Sequence, residues 1–119
     1  MLALSLTQNK TGVYLLSVFQ SNGVTPQPLI GLTLWFHASY PLAAFHINKS
    51  SPSNGITIQN TAGGTDCATL QIEPTDSAAL GLDADAIVVM NCELVLVSGS
   101  ENYELDRGTL TVTGNVGTP

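Results

Sequence analysis

Charged residues are scarce in this sequence. Lys, Arg, Asp and Glu make up 10% of its 119 residues, against about 25% in an average soluble domain. Only three of them are basic, and the formal net charge is −6. Binding to nucleic acid requires a basic stripe that displaces counterions from phosphates. The composition therefore argues against a nucleic-acid partner. A weakly charged surface suits a protein that packs against other subunits or copies of itself, and it is also compatible with a plain all-β domain.

Acidic residues are absent from the first half of the chain. Every Asp and Glu lies at or after Asp66, whereas Lys10 and Lys49 are the only charged residues before it. The acidic half is either a solvated edge or a docking surface for a basic partner. The sequence alone favours the solvated edge.

Long apolar runs are also missing. No segment reaches the roughly 18 apolar residues that a membrane-spanning helix needs, so we expect no membrane contact. The first six residues, Met-Leu-Ala-Leu-Ser-Leu, alternate as a strand does, lack a basic n-region and run into the polar Thr7-Gln-Asn-Lys10. We therefore expect a strand there and not a signal peptide.

Cysteine occurs twice, at positions 67 and 92. If Leu70 faces the core, Cys67 faces outward, whereas Cys92 shares the inward face of Leu94. Thiols on opposite faces cannot meet the geometry of a disulfide. We expect both to be free in a reducing compartment, and two soft ligands do not make a zinc site.

Residues for catalysis are few. His37 and His46 are the only imidazoles, and the sequence has no G-x-S-x-G elbow, phosphate-binding glycine loop or H-x-x-x-H pair. Asp76, Asp83 and Asp85 have oxygen ligands suited to Ca²⁺, but a simple turn is the favoured interpretation. We expect no enzyme activity, no catalytic residues, no cofactor and no bound metal.

Short alternating segments fill the rest of the chain. Frequent turn residues between them are typical of a β-sandwich or barrel, and the length predicts a single domain over 1–119 with a flexible or docking tail at 114–119. The segment 74–80, Pro-Thr-Asp-Ser-Ala-Ala-Leu, predicts one short helical connector, because Pro suits the first position of a helix and Ala-Ala-Leu can continue it for a turn. The expected strands are 2–6, 12–19, 32–39, 44–49, 56–59, 68–72, 87–97, 103–106 and 108–113.

The segment 87–112 is the strongest pattern. Its first half places Met90, Cys92, Leu94 and Leu96 on one face. In its second half Gly108 interrupts the period as a bulge or a bend does, and the adjacent Asp106 and Arg107 can form an ion pair across the hairpin. A hairpin with one dry face needs a second sheet to cover it, so the chain is predicted to be a β-sandwich.

Trp35 is the first candidate for an interface residue. Leu34 and Phe36 share a parity, so Trp35 and His37 point outward, where Trp35 is either covered by a loop or exposed as an anchor. The predicted strand 2–6 has no charge to discourage pairing at its edge. The candidate interface residues are Leu2, Leu4, Leu6, Trp35 and Tyr40.

The order of these segments resembles small β-sandwich proteins of tailed bacteriophages, of the type found as the N-terminal domain of the upper baseplate protein. The resemblance covers almost the whole chain. The matching pieces are Ser21-Asn-Gly23, Leu32-Thr-Leu-Trp-Phe36, Ile47-Asn-Lys49, Gly55-Ile-Thr-Ile58, Ala68-Thr-Leu-Gln-Ile72, Pro74-Thr-Asp-Ser-Ala-Ala-Leu80, Glu93-Leu-Val-Leu96 and Gly108-Thr-Leu-Thr-Val112.

This resemblance implies an all-β, immunoglobulin-like antiparallel sandwich that serves as a non-enzymatic virion protein. It would be made in the host bacterial cytoplasm and would act as an adaptor of the tail or baseplate. Its partners would be other virion proteins and further copies of itself. Two alternatives stay open: a capsid decoration protein on the head shell, and a carbohydrate or host-surface binding module that uses Trp35, Tyr40 or Tyr103.

Overall fold

The computed structural model of the chain describes residues 2–17, 29, 32–40, 45–60, 66–78 and 80–114. The turns at 21–23, 26–28 and 62–65, parts of the predicted strands 12–19 and 44–49, and nearly all of the predicted tail lie outside them. The elements are β1 (Leu2–Thr7), β2 (Gly12–Leu16), β3 (Thr33–Tyr40), β4 (Phe45–Ser50), β5 (Ile56–Asn60), β6 (Asp66–Ile72), α1 (Pro74–Ala78), β7 (Ile87–Ser98) and β8 (Glu101–Thr113).

The strands form two sheets. The larger sheet has the order β1-β8-β7-β3-β4, and the smaller has the order β2-β6-β5. Every pairing is antiparallel except that of β1 with β8, which is parallel. In immunoglobulin notation β2 to β8 are strands B, C, C′, D, E, F and G, with B-E-D facing G-F-C-C′. The expected all-β, immunoglobulin-like sandwich is confirmed.

Alternating side chains from the two sheets form the core between them. On β7 every second residue from Val88 to Leu96 is buried, and on β3 the buried residues are Leu34, Phe36 and Ala38. The predicted parity of both strands is therefore confirmed. Leu70 and Ile72 of β6 cover this face from the smaller sheet, which is how a sandwich removes its apolar side chains from water.

The β7–β8 hairpin differs from its prediction at one point. Leu94 pairs with Asp106 and Val95 with Glu104, so the bulge lies at Leu105 and not at Gly108. The two predicted strands 103–106 and 108–113 are one continuous strand, β8. Gly108 is instead the residue where β1 approaches, because a Cβ there would overlap the backbone carbonyl of Leu2.

The helix α1 closes one end of the sandwich. It forms where the connector at 74–80 was predicted, with Pro74 in the first position, and it ends at Ala78. The Oδ2 atom of Asp76 accepts the N–H of Glu73 at 2.7 Å, which stabilises the first turn. The buried Ser77 accepts the N–H of Asn9 at 3.0 Å, so the helix is held against the β1–β2 turn.

Both cysteines are free, as predicted. Cys92 is 5% exposed in the core, and Cys67 is half-buried on the opposite, outward face of the smaller sheet. Burial raises the pKa of the Cys92 thiol, and the negative charge of Asp106 raises it further. Cys92 is therefore a small apolar core residue at neutral pH.

Candidate functional site

The outer face of the larger sheet carries Trp35, the only tryptophan in the sequence. Trp35 is 38% exposed, and its ring stacks on that of His37 with centroids 5.7 Å apart and planes 19° apart. The His37 Nδ1 atom lies 2.6 Å from Oδ1 of Asn48 on β4. The stack and this hydrogen bond hold Trp35 in one orientation. We call this outward surface of β3, β7, β8 and β4 the Trp35 face.

Two shallow depressions lie side by side on the Trp35 face. The first, of about 320 Å³, is lined by Trp35, His37, Val95, Val97 and Asn102. The second, of about 530 Å³, shares His37 with the first and continues across the sheet over polar side chains. Its other lining residues are Ser39, Asn91, Cys92, Glu93, Arg107, Gly108 and Thr109.

An exposed ion pair lies on this face. Arg107 donates from Nε and Nη2 to the two carboxylate oxygens of Glu104, at 2.6 and 2.7 Å. This pairing lowers the pKa of Glu104 below its ordinary value. The sequence predicted Asp106 as the partner of Arg107, but the Asp106 carboxylate accepts the backbone N–H of Arg107, at 2.9 Å, and the ion pair goes to Glu104.

The two histidines are diagonal neighbours on the outward face of the larger sheet. They lie on adjacent strands, and the register places His37 opposite Asn48 and His46 opposite Ser39. Within the described ranges, no three His, Cys, Asp or Glu side chains come together as metal ligands. Of the three aspartates considered for Ca²⁺, Asp76 forms an ion pair with Lys49 at 2.7 Å.

A second exposed apolar surface lies on the smaller sheet, on the other side of the sandwich. Val13 and Leu15 of β2 are 62% and 71% exposed. Neither residue is among the interface residues predicted from the sequence, although the sequence of β2 contains a signal for them. Both parities of β2 are apolar, so whichever set faced the core, the other had to face outward. We call β2, with these two outward side chains, the β2 edge.

The remaining candidate interface residues are turned toward the core. Leu6 is buried, while Leu2, Leu4 and Tyr40 are partly buried and packed against the core. β1 is an edge strand of the larger sheet, but it offers a partner its backbone and not these leucine side chains. Part of that backbone is already engaged, because the Tyr14 hydroxyl donates to the Ser5 carbonyl at 2.6 Å.

Further apolar side chains extend the Trp35 face toward the start of β7. Ile87 and Val89 are 65% and 53% exposed on the same outward parity. The sandwich thus has two exposed apolar surfaces that face away from each other, the Trp35 face and the β2 edge.

In the part of the chain that the structure describes, no helix is long and apolar enough to cross a membrane. Neither a scan against models of known protein families nor a search of curated proteins gives a match to this chain.

Proposed function

We propose that this chain is a non-enzymatic structural protein of a tailed-bacteriophage virion and that it works as an adaptor in the tail or baseplate. The observation that carries the proposal is the pair of exposed apolar surfaces on opposite sides of the sandwich, the Trp35 face and the β2 edge. A domain with two such surfaces can contact two neighbours at once, which is what an adaptor must do.

The Trp35 face has the composition of a protein interface. Trp and Arg are enriched among the residues that dominate binding energies, and here Trp35 and Arg107 lie on one surface. Trp35 is already oriented by its stack on His37. A pre-oriented side chain loses less conformational entropy when a partner covers it, which favours binding.

Low surface charge supports the same role. With 10% charged residues, little of the surface requires strong hydration, so its outer faces are inexpensive to desolvate against a neighbour. The resemblance to phage baseplate sandwiches supports the choice of assembly. A capsid decoration protein would use the same surfaces. The location of the chain in the particle, on the head or on the tail, distinguishes these two alternatives.

Mass spectrometry of purified heads and tails tests the proposal directly. We expect the chain in the tail fraction at several copies per particle, and immunogold labels at the tail or baseplate. Labels on the head shell would replace the adaptor role with the decoration role. Absence of the chain from both fractions would contradict the proposal altogether.

A matched pair of variants tests the Trp35 face. Trp35→Ala should lower the affinity for the virion partner about 30-fold or more, as expected for the loss of a central Trp. Tyr103→Ala is the control, because it removes another exposed aromatic side chain, 49% exposed, that does not line either depression. If the two variants are incorporated equally well, the Trp35 face is not the interface.

Saccharide binding is a second candidate, favoured by the depression beside Trp35. The indole can stack on the C–H face of a sugar, while Asn102 can donate and accept hydrogen bonds from its hydroxyls. Trp35 is the only tryptophan, so its fluorescence reports directly on this site. A glycan array without signal, together with unchanged fluorescence on titration of the sugars, removes this candidate.

A further inference from the structure

The β2 edge lies at one side of the smaller sheet. Among the described strands β2 pairs only with β6, so its other side has no described strand beside it. An open strand presents a row of backbone N–H and C=O groups that can pair with another strand. Here that row is flanked by the exposed side chains of Val13 and Leu15.

The usual protections of an edge strand are missing from β2. Its five residues, Gly-Val-Tyr-Leu-Leu, include no charge and no proline, and its register with β6 is regular. Charges, prolines and bulges are the devices that prevent edge-to-edge pairing. The other edge of the same sheet, β5, differs because its outward side chains at Thr57 and Gln59 are polar.

We propose that β2 pairs with β2 of a second copy of this chain, so that two smaller sheets join into one six-stranded sheet across a two-fold axis. The inference rests on the assembly role proposed above, since it names the partner of the β2 edge. The net charge of −6 makes copies of the chain repel one another. An uncharged edge is where they can approach closely, because no like charges meet there.

The symmetry determines the direction of pairing. A two-fold axis perpendicular to the sheet makes the strands antiparallel and keeps both outer faces on the same side. Parallel pairing would turn one sheet over and bring its inner face, which the larger sheet covers, to the outside. The antiparallel direction also places the α1 ends, which carry Glu73 and Asp76, at opposite ends of the dimer.

The side chains of β2 are self-complementary in this arrangement. A register centred on Tyr14 sets Val13 of one copy opposite Leu15 of the other, twice. All four side chains then lie together on the outer surface of the joined sheet, where cross-strand apolar pairs stabilise pairing. Tyr14 itself points inward, where its hydroxyl donates to the Ser5 carbonyl.

The contact is small. A stable interface buries about 800 Å² on each partner, and pairing of one five-residue strand covers less than this. We therefore expect a dimer with a dissociation constant of about 10–100 μM, at the weak end of specific association. Many weak contacts acting together are sufficient in a particle that holds several copies, because each bound neighbour raises the effective concentration of the next.

Sedimentation of the isolated chain tests the inference. The wild type should shift from monomer to dimer between about 5 and 500 μM, the range expected for an interface of this size. Leu15→Lys should weaken dimerisation at least tenfold, since a charged side chain on an edge strand opposes pairing with another strand. Thr57→Lys is the matched control, because it places the same charge on the outer face at the other edge of the same sheet, and it should dimerise as the wild type does.

Cysteine cross-linking tests the register, in a Cys67→Ser background. Mild oxidation of a mixture of Val13→Cys and Leu15→Cys should yield a disulfide-linked heterodimer, because opposite residues lie about 4.5–5.5 Å apart. Either variant alone should cross-link at least tenfold less, because its two cysteines are diagonal and about 7–8 Å or more apart.

The possible failures are distinguishable. A wild type that stays monomeric at about 500 μM, a Leu15→Lys variant that dimerises normally, or equal loss in Thr57→Lys would each overturn β2 pairing. None of these results bears on whether the chain is found in virions or on the Trp35 face. Conversely, a chain that dimerises through β2 but is absent from virions would overturn the proposed function and leave the dimer intact.

Discussion

Gly108 lies where three strands meet. It pairs with Cys92 of β7 on one side and with Leu2 of β1 on the other. The position requires glycine because the Leu2 carbonyl occupies the space that a Cβ would fill. At the level of a single residue, an interruption in an apolar pattern therefore has two explanations, a bulge or a close backbone approach, and the sequence does not distinguish them.

Gly108→Ala should destabilise the protein by about 1–3 kcal/mol, the usual cost of forcing extra volume into a packed site. The added methyl group displaces β1 from β8. Gly99→Asn is the control, since Gly99 at the hairpin tip has φ 61° and open space around it, and Asn tolerates that conformation. Urea unfolding should show a lower midpoint for Gly108→Ala only; equal midpoints would mean that β1 does not approach so closely.

The two thiols should react at different rates. Cys67 is half-buried on the outer face, whereas Cys92 is 5% exposed and has a pKa raised by burial. A protonated, inaccessible thiol is a poor nucleophile, so at pH 8 a thiol reagent should label Cys67 first and Cys92 only after unfolding. Cys67→Ser should abolish the fast phase. Rapid labelling of two thiols in the folded wild type would contradict the placement of Cys92 in the core.

At the scale of elements, α1 is small but tied to several parts of the fold. Its Asp76 bonds to Lys49 of β4, and its Ser77 bonds to the β1–β2 turn. The Lys49 and Asp76 side chains are 10% and 24% exposed. An ion pair with so little solvent around it depends on both partners, because either charge alone would be left poorly solvated.

Asp76→Asn should lower the free energy of unfolding by about 2–3 kcal/mol, since it leaves Lys49 without its counter-charge. The amide can still accept the N–H of Glu73, so capping of α1 is retained. The double variant Lys49→Met/Asp76→Asn should lose less than the sum of the single variants in denaturant unfolding. Arg107→Gln, which breaks an exposed pair, should change the midpoint little. Additive losses would show that Lys49 and Asp76 are not coupled.

β1 is both an edge strand and a part of the core. Leu6 is 4% exposed, and Leu2 and Leu4 pack on the core from the same strand. Deletion of residues 1–6 should therefore cost at least about 3 kcal/mol, since loss of one buried leucine alone costs 2–5 kcal/mol.

The unfolding midpoint of this deletion variant measures that cost. Ser5→Lys, at an exposed position of the same strand, should leave stability nearly unchanged. A deletion without effect on stability would mean that β1 does not contribute to the core. Because the deletion also destabilises the fold, poor assembly of the deletion variant alone would not identify β1 as a docking edge. Poor assembly of Ser5→Lys would identify it.

At the scale of the whole molecule, the acidic groups lie mainly toward the ends of the sandwich. Asp83 and Asp85 belong to the loop that follows α1, and Glu101 and Glu104 lie near the tip of the β7–β8 hairpin. The β2 edge has none. This distribution opposes end-to-end contacts between copies and leaves side-to-side contacts as the less repulsive ones.

Self-association should therefore strengthen with salt. Raising the ionic strength from about 0.01 to 0.15 M shortens the Debye length from about 30 to 8 Å, which screens the repulsion between two chains of charge −6 without weakening an uncharged interface. We expect the dimer fraction in sedimentation to increase at fixed protein concentration. A decrease would indicate that ion pairs hold the dimer together, contrary to pairing through β2.

The sequence by itself determined the sandwich, the orientation of each long strand and the site of the helix. These follow from a period of two along each strand and from the residues at helix starts, both of which are local. The outward direction of Trp35 and the inward direction of Cys92 could be predicted for the same reason.

Tertiary structure alone decided which strands became edges, that β1 runs parallel to β8, and where the bulge lies. It also decided which apolar set of β2 stayed exposed and that Arg107 and Asp76 pair with Glu104 and Lys49. Strand pairing joins residues far apart in the chain, and its energy depends on what each face meets after folding. The local pattern of β2 predicts that one of its two apolar sets faces outward, but not which set, nor that β2 is an edge strand. The β2 edge could therefore be identified only in the folded molecule.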